Sequence, residues 1–141
     1  MNKILNSYLN NNEIPILQNL DHQTSLQELY ISNQRIGGIE FRFIDKTMKS
    51  LSISLQLLDC GGNNIKNPNG IEFLSSLRAL NFNDNKICTL EIVGKIIPSL
   101  KNLISINLRD NPVSKISKIR DQIIMISSEN LGLIKKKKKI F

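Results

Sequence analysis

Apolar and polar residues alternate along this chain in a pattern that recurs. Five segments fit L-x-x-L-x-L-x-x-N-x-I: Ile4–Ile14, Leu26–Ile36, Leu55–Ile65, Leu77–Ile87 and Leu103–Val113. Their starts are spaced 22, 29, 22 and 26 residues apart, and five copies in phase are beyond chance. The fourth and sixth positions hold Leu29 and Ile31, Leu58 and Cys60, Leu80 and Phe82, Ile106 and Leu108. Their immediate neighbours point the other way, so each copy predicts a short strand with one buried face. A copy this short can bury its apolar edge only against the next copy. The five therefore predict a parallel α/β stack with one continuous core.

The ninth position is an amide throughout: Asn12, Gln34, Asn63, Asn85 and Asn111. An amide carries donors and an acceptor together, so in a tight turn it can satisfy backbone groups that would otherwise be buried alone. The return segments are apolar about every third residue, as in Ile14, Leu17, Leu20 and in Ile71, Leu74. That spacing predicts short helical or 3-10 turns on the far side of the stack. The long second copy predicts a helix within residues 40–53, and the fourth has four extra residues around Gly94–Leu100.

After Val113 the period changes. Ile116, Ile119, Ile123 and Ile126 follow helical spacing, and the helix they predict would cap the last copy. Leu131 and Ile134 resemble the start of a further half-copy. The domain is thus expected over residues 1–134, with a cap at 114–134 and a basic tail at 135–141. At the other end Ile4, Leu9, Ile14 and Leu17 are expected to leave an open apolar edge. The expectation is that further repeats or a partner cover it.

Composition narrows the function. The net charge is +7, from nineteen basic and twelve acidic residues. Five of the bases are the run Lys135, Lys136, Lys137, Lys138 and Lys139; without them the balance is fourteen against twelve, or +2. A nearly neutral domain argues against a nucleic-acid-binding face. The lysine run reads as a solvated tail or as an attractor for an acidic partner such as tubulin tails. A nuclear-localisation role ranks below both. The two cysteines, Cys60 and Cys88, have no metal-ligand spacing. They suit a reducing compartment. No apolar run of about 18 residues predicts a membrane span, and residues 1–25 lack a signal-peptide layout.

Catalytic chemistry finds little support. His22 is the sole histidine, with no nucleophile at a readable spacing. Gly61-Gly62 precedes Asn63 without the Lys-Ser/Thr of a phosphate loop. No cofactor, metal or small-molecule substrate is expected.

The repeat resembles the SDS22-like family of leucine-rich repeats. Asn111-Pro112-Val113 … Ile119-Arg120-Asp121-Gln122-Ile123-Ile124 resembles that family's C-terminal cap, N-P-[VL] … Y-R-x-x-[VI]-[IL]. Ile119 replaces the usual Tyr, and Ile134-Lys135 replaces a closing Leu-Asp. The resemblance implies a leucine-rich-repeat solenoid, with strands on a concave face and helices or 3-10 turns on a convex one. It also implies protein partners: the catalytic subunit of protein phosphatase 1, tubulin or axonemal proteins. The cytoplasm, and within it the cytoskeleton or cilium, is the expected location. Many phosphatase partners carry an [RK]-[VI]-x-[FW] docking motif. Ile39-Glu40-Phe41 and Ile71-Glu72-Phe73 supply its apolar half, but Gly precedes both and core packing accounts for them. An RNA-processing scaffold shares the same fold and cap and ranks last.

The outward strand positions would form the binding surface. By register these include Tyr8, Glu28, Tyr30, Asp59, Asn81, Asn83, Asn107 and Arg109, with Asp84 and Asp110 adjoining at the eighth position. Adjacent strands lie about 5 Å apart. Tyr8 and Tyr30 are therefore expected to form one aromatic patch beside a strip of acid and amide.

Overall fold

The computed structural model describes residues 3–129, 139 and 140 of the chain. It is a mixed α/β structure. Strands β1 (Asn6–Tyr8), β3 (Glu28–Tyr30), β5 (Leu57–Asp59), β6 (Ala79–Asn81) and β7 (Ser105–Asn107) pair side by side, all parallel. Each is the third to fifth position of one sequence copy, and the register never slips. Ser7, Leu29, Leu58, Leu80 and Ile106 stand opposite one another, as do Tyr8, Tyr30, Asp59, Asn81 and Asn107. Register is held because a one-residue slip would turn every core side chain to the open face.

Period-2 burial follows the expectation. Leu29, Leu58, Leu80 and Ile106 are 0%, 0%, 2% and 5% exposed. The sixth-position residues Ile31, Cys60, Phe82 and Leu108 are also buried. Full burial of each such aliphatic chain stabilises by roughly 1.5–3 kcal/mol. Only the first copy departs, with half-buried Ser7 at the fourth position.

The return segments lie against the other side. Helix α1 (Asp45–Leu51) falls inside the predicted 40–53 window and buries Thr47, Met48 and Leu51. Helix α2 (Leu90–Ile96) runs into a 3-10 turn at Ile97–Ser99. The segment at Ile71–Phe73 is a 3-10 turn, as its spacing suggests. The first return segment is not helical. Ile16–Leu17 (β2) pairs in parallel with Arg42–Phe43 (β4) as a small second sheet. Extended backbone is favoured there because Arg42 and Ile44 donate N–H groups to the carbonyls of Pro15 and Leu17, at 3.0 and 3.1 Å.

That small sheet changes the picture of the first edge. Leu17, expected to lie open, is buried beside Phe43. Leu9 and Ile14 are half-buried against the core. Ile4 and Leu5 remain 52% and 47% exposed.

At the far edge helix α3 (Ile119–Glu129) buries Ile119 and Ile123. It packs on α2 and its neighbouring turn, the covering role its period suggested. Leu131, Ile134 and Lys135–Lys138 lie outside the described residues. Lys139–Ile140 forms a sixth strand, β8, parallel to β7 and opposite Ser105 and Ile106. The end of the segment read as a basic tail thus carries a strand, because the outer edge of β7 offers backbone groups for pairing.

Candidate protein-binding face

The amide positions fix how the strands leave the sheet. The Nδ2 of Asn63, Asn85 and Asn111 donates to the sixth-position carbonyl of the preceding copy: Ile31 at 2.7 Å, Cys60 at 3.1 Å and Phe82 at 2.8 Å. Each also donates to the sixth-position carbonyl of its own copy, at 3.0–3.2 Å. Gln34 does the same for Leu9 and Ile31 through Nε2, at 2.7 and 3.4 Å. The side-chain oxygens accept backbone N–H groups in return, so the buried turn is satisfied from within.

Just before each amide the backbone is left-handed. Asn11, Asn33, Gly62, Asp84 and Asp110 have φ of 60°, 55°, 66°, 51° and 59°. Gly tolerates this region freely, and Asn and Asp best among the rest. Asp84 and Asp110, predicted as binding residues, thus have a backbone reason for their identity, although both are exposed.

The sheet face opposite the core carries the other predicted residues. Tyr8 and Tyr30 stack with ring centroids 4.8 Å apart and planes within 8°. Tyr8 is 68% exposed, and Tyr30 is half-buried beneath it. The Tyr30 hydroxyl donates to Glu28 Oε2 at 2.9 Å. This bond, followed by partial burial, pushes the Tyr30 phenol above its usual value. Asp59 Oδ1 accepts from the Gly61 N–H at 3.2 Å and from Asn81 Nδ2 at 2.9 Å. The oxygens of Asn81 and Asn107 accept the N–H groups of Asn83 and Arg109, each at 3.1 Å.

The two glycines beside Asp59 act by their smallness. A methyl group on Gly61 would strike the side chain of Asn83, and one on Gly62 that of Asn33. No phosphate loop is needed to explain them.

The floor of this face is built from third-position residues, which the register of the repeat also turns outward. Leu57, Ala79 and Ser105 line a shallow depression of about 220 Å³ together with Tyr30, Asp59, Asn81 and Asn107. A separate depression of about 390 Å³ lies at the second positions, between Ile53, Gln56, Arg78 and Ile104; nothing in the repeat pattern marked it.

Other candidates are placed apart from the face. His22 is exposed, and Asp21 beside it pairs with Lys46 at 2.8 Å. Cys60 is buried, which pushes its thiol well above the usual range. Cys88 is exposed. Phe41 is fully buried and Phe73 half-buried, so packing engages the aromatic member of both docking-motif fragments. Among the described residues no three His, Cys, Asp or Glu side chains converge on a metal-sized site. Among them, too, no helix is long and apolar enough to cross a membrane. No protein-family model matches the chain.

Proposed function

We propose that the chain is a leucine-rich-repeat solenoid of the SDS22-like type that binds other proteins through the open face of its parallel sheet and performs no catalysis itself. The observation that carries this reading is the stacked Tyr8–Tyr30 pair, held on the open face of a sheet whose other side buries Leu29, Leu58, Leu80 and Ile106. Exposed tyrosines bring large contact area at small entropic cost, which makes them interface anchors. The unslipped register and the amide ladder support the solenoid.

The long second copy, Asn33-Gln34-Arg35 and Ser54–Leu58 resemble protein phosphatase 1 regulatory subunit 42. On that resemblance the protein is an adaptor of a ciliary, axonemal or other microtubule-based assembly in the cytoplasm. The second reading, a direct regulatory or targeting subunit of protein phosphatase 1, rests on the same resemblance.

Purified full-length chain, mixed separately with phosphatase catalytic subunit and with stabilised microtubules or axonemes, tests both. Stoichiometric capture of the catalytic subunit favours the second reading. Co-sedimentation with microtubules or axonemes alone favours the first. In either case Tyr8→Ser combined with Tyr30→Ser should weaken binding by about tenfold or more. Binding undiminished in that variant would overturn the face as the site.

A further inference from the structure

The Tyr8–Tyr30 stack is interrupted rather than finished. The two rings lie on β1 and β3, and the next strand along the sheet is β5. One face of the Tyr30 ring is covered by Tyr8 at 4.8 Å. The other face lies on the β5 side, where the same register position is Asp59. Aspartate is too short to fill a ring-sized place in the column. The depression of about 220 Å³ lies there, bounded by Tyr30, Asp59 and Asn81 and floored by Leu57 and Ala79.

We infer that this place is the seat of an arginine side chain from a partner protein, its guanidinium stacked on Tyr30 above the Asp59 carboxylate. The inference rests on the reading of this face as the protein-binding surface and adds the chemistry of the partner's anchor. A guest must be flat to continue a stack of parallel rings. It must be cationic to sit over a carboxylate and against a π face. It must also tolerate partial desolvation over an apolar floor. Guanidinium meets all three demands, whereas ammonium is compact and strongly hydrated.

The site is preorganised for such a guest. The bond from the Tyr30 hydroxyl to Glu28 fixes the ring. The two bonds to Asp59 both fall on Oδ1, and among the described residues none falls on Oδ2. That oxygen keeps its capacity for a charge-assisted bond. The nearest base of the outward columns, Arg109, follows β7, two strands from β5.

The molecule supplies its own reporter. It has two tyrosines and no tryptophan, so its intrinsic emission comes from Tyr8 and Tyr30 alone. The probe is the peptide acetyl-(Ser-Arg)4-amide, titrated into the full chain beside its lysine and citrulline versions. The arginine peptide should change the emission saturably and bind at least about fivefold more tightly than the lysine peptide, while the uncharged citrulline peptide should not bind. Asp59→Asn keeps the Oδ1 acceptor and removes the charge. It should weaken arginine-peptide binding about tenfold or more, while Asp121→Asn, on helix α3 away from the sheet face, changes it less than about twofold.

Equal affinity for arginine and lysine would overturn the inference, as would equal effects of the two aspartate variants. The comparison among three peptides on the unaltered chain decides the matter even if Asp59→Asn fails to fold. If arginine selectivity is absent while partner binding still depends on Tyr8 and Tyr30, the inference falls and the protein-binding face stands.

Discussion

The side-chain oxygen of Gln34 accepts the backbone N–H of Ile14 at 3.0 Å, across twenty residues of sequence. Asn85 and Asn111 accept the N–H groups of Ile65 and Ile87 in the same way, at 2.9 and 3.1 Å. At Asn63 this contact is replaced: the Ile36 N–H turns to the Gln34 carbonyl at 3.1 Å. The long second copy begins its detour there, through Gly37 and Gly38, both with positive φ. The ladder thus joins neighbouring copies everywhere and yields one rung where the chain must leave the pattern.

Removing one rung should be costly. Asn85 is buried and uses its amide for three carbonyls and two backbone N–H groups. Asn85→Leu leaves those groups buried without partners. Each unsatisfied group costs about 1–3 kcal/mol, so a loss of roughly 3 kcal/mol or more is expected after partial relaxation. Urea unfolding followed by circular dichroism measures it. Asn12→Leu, at the exposed first rung, should cost well under half as much.

The left-handed position separates backbone from binding. Gly62→Ala should destabilise by about 1–2 kcal/mol, from the positive φ and from contact with Asn33. Asp84→Gly occupies the same place in its copy and should change stability by less than about 1 kcal/mol. Thermal unfolding of both variants checks this. If Asp84→Gly folds normally yet loses partner affinity, the carboxylate has a binding role beyond its backbone role.

The two thiols should react as distinct classes. Exposed Cys88 is open to a thiol reagent, whereas buried Cys60 is held protonated. At pH 8 the native protein should consume about one equivalent of Ellman's reagent promptly and a second only on unfolding. Prompt reaction of both thiols would show that the sixth-position core opens easily.

Acid should act on the pair that ties the first return segment to helix α1. Hydrogen bonds from Lys46 and then Thr47 hold the Asp21 carboxyl below its usual value. A lowered native pKa favours the ionised form in the fold. Its stabilisation is therefore present above the ordinary carboxylate value and lost as pH falls through the lowered one. Asp21→Asn should narrow the stability difference between pH 6 and pH 2.5, read from urea midpoints. The pair is open to solvent, so added salt should shrink the effect.

Much of this protein is decided locally. Period-2 apolar positions and a recurring amide set the strands, their one buried face and their order, because each short copy can bury its edge only on the next. From the same register Tyr8 and Tyr30 had to be neighbours. The sequence alone therefore determined the parallel sheet, its open face and the residues on it.

Other features needed the assembled chain. Residues 14–20 are spaced for a helical turn, yet Ile16–Leu17 run extended because Arg42 and Ile44 arrive from another copy to pair there. Leu17 is buried where that pairing sets it opposite Phe43. The depression beside Asp59 exists because Tyr30 stands one strand away and Leu57 and Ala79 form its floor. Periodicity reports which side of the backbone a residue takes. It does not report what a distant segment brings to that side, and such contacts are settled only when the copies close on one another.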